Sequence, residues 1–290
     1  MKAKNFSKAA FWGGIAVLFL ILASCKSSPP PEDDVFALIN QKQGAKAQEL
    51  FWGKATINDR DDRGRTTLIA AAESEDDALV AFLIALGADV NALDKQGRSA
   101  LTVAVERNDI STAKILSKEG ADIHHHLSRG SSPALFALTD DKSGQEVLDA
   151  ILTPGSVKSV DENGRTIFHL AVQEGNISAV KKILAVNDTV LSAKDNEDKT
   201  GLDIALEETD SSDHAEIAED LILRGAKIES PFYHVFSQAV LKADYNFRFA
   251  DGSTILHYCA REGYSGYVEF LLERKADINT LDVAGTPPPP

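Results

Sequence analysis

Along most of this chain, apolar residues fall in short clusters at helical spacing, and the clusters come in pairs separated by polar turns. Ile177, Val180, Ile183 and Leu184 share one helical face, and Ile110, Ala113, Ile115 and Leu116 do so with slight irregularity. Gly87, Gly120 and Gly225, with Asn187 in the equivalent place, follow such clusters, where a left-handed residue ends a helix. A fixed trio marks each pair. Hydroxyl residues Thr66, Ser99, Ser132, Thr166 and Thr200 are separated by 33, 33, 34 and 34 residues. Ala71, Ala104, Ala137, Ala171 and Ala205 follow them by five positions, and Gly64, Gly97, Gly130 and Gly164 precede them by two. Glycine accepts the positive φ of a tight turn, and the hydroxyl caps the helix that follows. Alanine lets neighbouring helices approach at no loss of helix propensity. One such unit cannot bury its own apolar face, so the pattern predicts an all-α stack of repeats.

A period of about 33 residues with this layout resembles the ankyrin-repeat family. Thr254-Ile-Leu-His257 is similar to the family's Thr-Pro-Leu-His, and Gly87-Ala-Asp-Val-Asn91, Gly120-Ala-Asp-Ile-His124 and Lys275-Ala-Asp-Ile-Asn279 are similar to its hairpin segment. The resemblance covers residues 33–286 and implies an all-α ankyrin-repeat solenoid, with a helix-turn-helix and a hairpin loop in each repeat. It divides the chain into an N-terminal capping repeat at 33–60, five repeats over 61–228 and an irregular short repeat at 229–248. A further repeat follows at 249–281, then a truncated repeat with a proline tail at 282–290. His169 and His257 fall in the family's structural histidine column, which implies hydrogen bonding inside the stack. Departures from the pattern should show in the structure. Asp198 replaces the turn glycine of the fifth repeat, and that repeat's extra polar residues in 207–213 should project as a longer loop between helices. In 229–246 only Ser230-Pro231-Phe232 matches the turn-and-cap segment, and the hydroxyl column resumes at Thr254, so the stacking should bend or shift there.

The N-terminus reads differently. Lys2, Lys4 and Lys8 precede an uncharged apolar run, 9–23, that is too short to span a bilayer comfortably and ends in small residues. That is the plan of a secretory signal, here residues 1–24. Its end, Leu22-Ala23-Ser24-Cys25, resembles the bacterial lipobox, which implies that Cys25 becomes the lipid-modified first residue of a membrane lipoprotein. Residues 25–32 then form a polar, proline-rich tether. Lys26 rather than aspartate after the cysteine points, by analogy with enteric lipoproteins, to the outer membrane, on its periplasmic or surface side.

Charge narrows the partners. Removing residues 1–24, which hold three lysines and no acid, takes the formal charge from −14 to −17. A field of that sign repels phosphate backbones and anionic head groups, so nucleic acid is excluded as a partner and membrane contact is left to the N-terminal lipid. Cys25 and Cys259 are the two cysteines, so an acylated Cys25 leaves no disulfide. Cys259 occupies the small-residue alanine column, five positions after Thr254, and reads as a buried apolar residue.

Candidate chemistry is sparse. Three consecutive histidines, His124, His125 and His126, are the obvious metal candidates. On an extended segment their side chains alternate, so at most two could share an ion, and solvated loop histidines are the better reading. No metal or cofactor is expected. No phosphate loop, nucleophile elbow or zinc-helix motif stands in the sequence, and nothing marks a catalytic residue or a small-molecule substrate site. What remains is a pair of columns that line the concave groove in ankyrin proteins. One residue before the hydroxyl stand Arg65, Arg98, Ser131, Arg165, Lys199 and Ser253; seven after it stand Glu73, Glu106, Thr139, Gln173, Glu207 and Arg261. A basic ridge beside a partly acidic floor could steer a protein partner with the reverse pattern. The same bases could instead simply pair with nearby carboxylates. Two roles stay open on the sequence alone. One is an anchored protein-binding module of the cell envelope, with Arg65, Arg98, Arg165, Lys199, Glu73 and Glu106 as groove contacts. The other is an acidic structural spacer without a groove ligand.

Overall fold

The computed structural model describes residues 34–51, 56–125, 132–139, 142–226, 236–237, 239–240, 244–249 and 251–289. Cys25 and the rest of residues 1–33 lie outside them, as do Gly130, Ser131, His126 and Ser230-Pro231-Phe232. Helices come in pairs, an inner one following each hydroxyl cap and an outer one returning. In chain order they are α1 (Val35–Asn40) and α2 (Gly44–Phe51), α3 (Thr67–Ser74) and α4 (Asp77–Ala85), α5 (Ala100–Glu106) and α6 (Ile110–Lys118). There follow α7 (Pro133–Ala137) and α8 (Lys142–Ile151), α9 (Ile167–Gln173) and α10 (Ile177–Val186), α11 (Gly201–Glu207) and α12 (Ser212–Leu223), then α13 (Ile255–Glu262) and α14 (Ser265–Glu273). Inner helices pack on inner ones, as α3 on α5 and α9 on α11, and outer on outer, as α6 on α8. The chain is thus an all-α repeat solenoid. Among the described residues no helix is long and apolar enough to cross a membrane.

Each column does the task its chemistry suits. The Thr66 side chain accepts from Ile69 N at 3.3 Å, Ser99 from Thr102 N at 3.2 Å and Ser132 from Leu135 N at 3.2 Å, so orphan amides at the helix starts are satisfied. Ala71, Ala104, Ala137, Ala171 and Ala205 are all fully buried, and Cys259 joins them. Burial pushes the Cys259 thiol up to about 12, so it stays protonated and inert. His169 and His257 bond as the resemblance implies. Thr166 N donates to His169 Nδ1 at 3.1 Å while Nε2 meets the Ala193 carbonyl at 3.1 Å; Thr254 N and the Thr286 carbonyl hold His257 in the same way, each at 3.2 Å. A ring that accepts at Nδ1 and donates at Nε2 is neutral, and burial lowers the pKa of His169 accordingly.

The loops between repeats are turns rather than strands; among the described residues only the isolated bridges Arg60–Thr66 and Arg248–Thr254 are sheet-like. Gly64, Gly97 and Gly164 sit at φ +74°, +76° and +74°, and Asp198 in the same column is held at +62°, a conformation strained for a residue with a Cβ. Successive tips are strapped together. Lys95 N donates to the Arg63 carbonyl at 3.1 Å and Asn196 N to that of Asn163 at 3.0 Å. The first tip is thus joined to the second, and the fourth to the fifth, beside the inner helices.

Two expectations are corrected and a third takes a definite form. Asn187 is extended, at φ −159°, not left-handed; its side chain accepts from Thr189 N and caps a 3₁₀ turn, Asp188–Ser192. The extra residues of the fifth repeat are shared between α12, which reaches 12 residues, and a connection, 208–211, that is longer than those joining α3 to α4, α5 to α6 and α9 to α10 but lies packed instead of projecting. That connection is packed against α14, where Gly266 N donates to the Thr209 carbonyl at 3.0 Å and a Cβ on Gly266 would stand 2.2 Å from Ser211 N. The stacking does shift after α12, and the form of the shift is specific. Helical residues Phe236, Ala239 and Val240 are buried, with the Phe236 ring 5.2 Å from that of Tyr267, while α12 packs directly on α14. Glu219 of α12 holds Arg274, just past α14, from Nε at 3.0 Å and Nη2 at 2.5 Å, and that guanidinium lies 3.9 Å over the Phe270 ring.

Candidate functional site

The row of tips and the inner helices beside it bring the six candidate residues onto one strip. The same construction repeats. An aspartate five positions before the hydroxyl folds the tip by accepting backbone amides, as Asp61 does from Arg63 N at 3.0 Å and Arg65 N at 2.9 Å. Its second oxygen then takes the side chain of the base: Arg65 Nε at 2.8 Å, Arg98 Nε on Asp94 at 3.0 Å, Arg165 Nε on Asp161 at 3.1 Å. The far end of each base spans the inner helix to the residue eight positions on. Arg65 bonds Glu73, Arg98 lies 3.6 Å from Glu106, Arg165 donates to Gln173 at 2.9 Å and Lys199 to Glu207 at 2.9 Å.

Exposure separates residues that look equivalent in sequence. The Arg65 side chain is 1% exposed, closed in by Asp61, Glu73 and Asn40, so it cannot meet a partner and instead fixes Glu73 from beneath. As a direct groove contact Arg65 is corrected to a buried support. Arg98, Arg165 and Lys199 are progressively more open, at 19%, 25% and 34%. Glu73 bridges two repeats by accepting from Arg98 at 3.2 Å as well, while Glu106 and Glu207 remain accessible. Burial would raise the carboxyls of Asp61 and Asp161, but the hydrogen bonds and charge of Arg65 and Arg165 outweigh it and hold both below the ordinary range. For Arg98 burial acts to lower the pKa, and Asp94, Glu73 and Glu106 overcome it. Lys199 is raised by its bonds to Glu207 and Glu197. The aspartates at the start of each repeat were visible at constant spacing, and that spacing was the signal for pairing.

The histidine segment differs from its reading as a solvated loop. His124 is buried with Nε2 3.1 Å from the Ser159 carbonyl, and His125 Nε2 lies 3.1 Å from that of Gly97, so each ring ties its loop to a neighbouring repeat. Among the described residues no group of three or more histidine, cysteine, aspartate or glutamate side chains is placed to hold a metal. An open depression lined by Asp188, Lys194, Thr200 and Asp203 has its acid engaged, since Asp203 accepts from Thr200 N at 2.8 Å as part of a capping box.

Residues 35–126 match the family model for ankyrin repeats, in three copies, and residues 163–196 and 251–283 each match that of the single ankyrin repeat. The matched segments make up more than half of the chain. Outside them fall 127–162, the repeat that begins at Leu127 instead of aspartate, and 197–250, which holds most of the fifth repeat and the irregular stretch that follows it.

Proposed function

Because this chain belongs to the ankyrin-repeat family, whose repeats generally mediate contacts between proteins, we propose that it is a membrane-anchored interaction module of a bacterial cell envelope. Its groove strip receives a protein partner and Cys25 carries the lipid. The observation behind the partner site is the strip itself, where Arg98, Arg165 and Lys199 stand at repeat spacing, partly open, beside the accessible carboxylates of Glu106 and Glu207. Such alternation favours a partner of opposite pattern and speeds its encounter. The same ion pairs also support a second reading, an acidic spacer whose charges are satisfied within the chain.

The anchoring part rests on the lipobox resemblance. Two or three acyl chains hold a protein to a bilayer where one does so only marginally. Cys25→Ser protein is expected to leave the membrane fraction or to accumulate unprocessed, read by fractionation and intact mass. Equal membrane binding with cleavage at the same place would exclude Cys25 as the anchor. For the partner, crosslinking in the native cell supplies the molecule, and Arg165→Gln/Lys199→Gln protein is expected to bind it more weakly, through slower association. Glutamine keeps a donor toward Asp161, so the fold is retained.

A further inference from the structure

Resting on the groove reading above, we infer that the partner seats an apolar side chain, followed in its sequence by lysine or arginine, on the two tips that begin at Phe249 and Asp282, against Leu281 and Val283 and beside the carboxylates of Asp251 and Asp282. The tips change character at this end. Their second position is polar at Asp62, Lys95, Ser128, Glu162 and Asn196 and apolar at Ala250 and Val283. Their first is aspartate at Asp61, Asp94, Asp161, Asp195 and Asp282 and apolar at Leu127 and Phe249. Phe249 N still donates to the Ser253 carbonyl at 2.8 Å, and Gly252 N to that of Phe249 at 2.9 Å, so the turn closes without the aspartate. Val283 N donates to the Asp251 carbonyl at 3.2 Å, the same strap that Lys95 and Asn196 make. In those two the side chain adds a second strap, Lys95 Nζ to the Asp62 carbonyl at 2.8 Å and Asn196 Nδ2 to that of Glu162 at 3.1 Å. Val283 has no polar atom to do so, and it is left 79% exposed.

The exposure belongs to the position, since Asp62, Lys95, Glu162 and Asn196 are exposed as well, where a further repeat follows. What differs is the aliphatic side chain. Leu281 nearby is 49% exposed, and its carbonyl takes Arg248 Nη1 at 2.6 Å, a group that also reaches the Gly252 carbonyl at 3.2 Å, so both tips are held in one frame. A Cβ on Gly252 would stand 3.0 Å from Val283 Cγ1, which places the valine against that glycine. Half-buried Phe247 and Phe249, with ring centres 5.7 Å apart, enter the preceding tip. The carboxylates set the charge of the partner. Asp61, Asp94 and Asp161 each hold an arginine, whereas Asp251 bonds the Ser253 hydroxyl at 2.6 Å and Asp282 that of Thr286 at 2.6 Å. A neutral hydroxyl leaves the carboxylate's charge in place, and these bonds hold both carboxyls below the ordinary range. Arg261 acts on Asp251 through its field and is itself paired with Glu262 at 3.4 Å. Apolar surface rimmed by acid fits an apolar residue with a base beside it.

A random-peptide library selected on the full mature chain tests the contact. Enriched peptides are expected to carry Leu, Val, Ile or Phe within about two positions of Lys or Arg, and to lose about tenfold in affinity on Val283→Asn. Asp251→Asn should weaken them too and flatten their salt dependence. Asn196 and Asn163 already stand in these two columns, so both variants should keep the parent's unfolding temperature. A Val283→Asn protein that unfolds earlier would mark the valine as kept for folding and overturn the contact. A parent that sediments as a dimer, with Val283→Asn protein a monomer, would give the surface to a second copy and overturn it as well. Peptides that respond to Arg165→Gln/Lys199→Gln but not to Val283→Asn would overturn this contact and leave the groove reading standing. Peptides indifferent to both sets of changes would overturn both.

Discussion

Phenylalanine at position 171 is expected to destabilise the solenoid by about 1–3 kcal/mol or more, because an overpacked site forces its neighbours off their preferred positions. Ala171 is fully buried on α9, in the column where inner helices of successive repeats approach one another. The damage should spread only to nearest neighbours, since each repeat of a solenoid touches only those beside it. Hydrogen exchange on Ala171→Phe protein should therefore show protection lost in α7, α9 and α11 before the rest. Lys181→Ala serves as the control. Its side chain is 52% exposed and pairs with Glu216 at 3.3 Å, so it should shift stability by less than about 0.5 kcal/mol. An Ala171→Phe variant that unfolds like the parent would refute the register of the stack.

Arg65→Ala is expected to cost about 3 kcal/mol, the scale for breaking a buried ion pair by removing one partner. The guanidinium lies between Asp61 and Glu73, and its loss leaves both carboxylates facing a cavity. Lys199→Ala occupies the same column but an open site, where solvent screens the pair and the loss should change stability far less. Denaturant unfolding of the two variants separates them. Equal small effects would mean that Arg65 reaches solvent and belongs with the other bases after all.

That contrast shows where the sequence stops being legible. The hydroxyl, alanine and glycine columns could be read because each acts locally: a cap bonds three residues on, a turn closes over four, and a small side chain is small wherever it stands. The burial of Arg65 depends on Asn40, which is 25 positions away in another repeat. His124 is buried for a similar reason, since Ser159, 35 positions on, supplies its carbonyl. Asn187 has the right residue type for a left-handed stop, yet a 3₁₀ turn competes for its side chain and prevails. The polar run 207–213 could enter a loop or a helix, and contact with Gly266 decides the outcome. The strip followed the same rule. Its members and their shared face were legible from spacing, while which of them face solvent was settled by packing between repeats.

The association rate of the crosslinked partner with Arg165→Gln/Lys199→Gln protein, at low and at moderate salt, tests recognition at this strip most directly. Loss of two partly open cations from the ridge leaves Asp161 and Glu207 without their bases, so the partner's acids meet a repulsive surface. The rate should fall at low salt, and the gap from the parent should narrow as salt screens the exposed charges, with thermal unfolding unchanged. Identical rates for parent and variant at both salts would contradict recognition through the strip and favour the spacer.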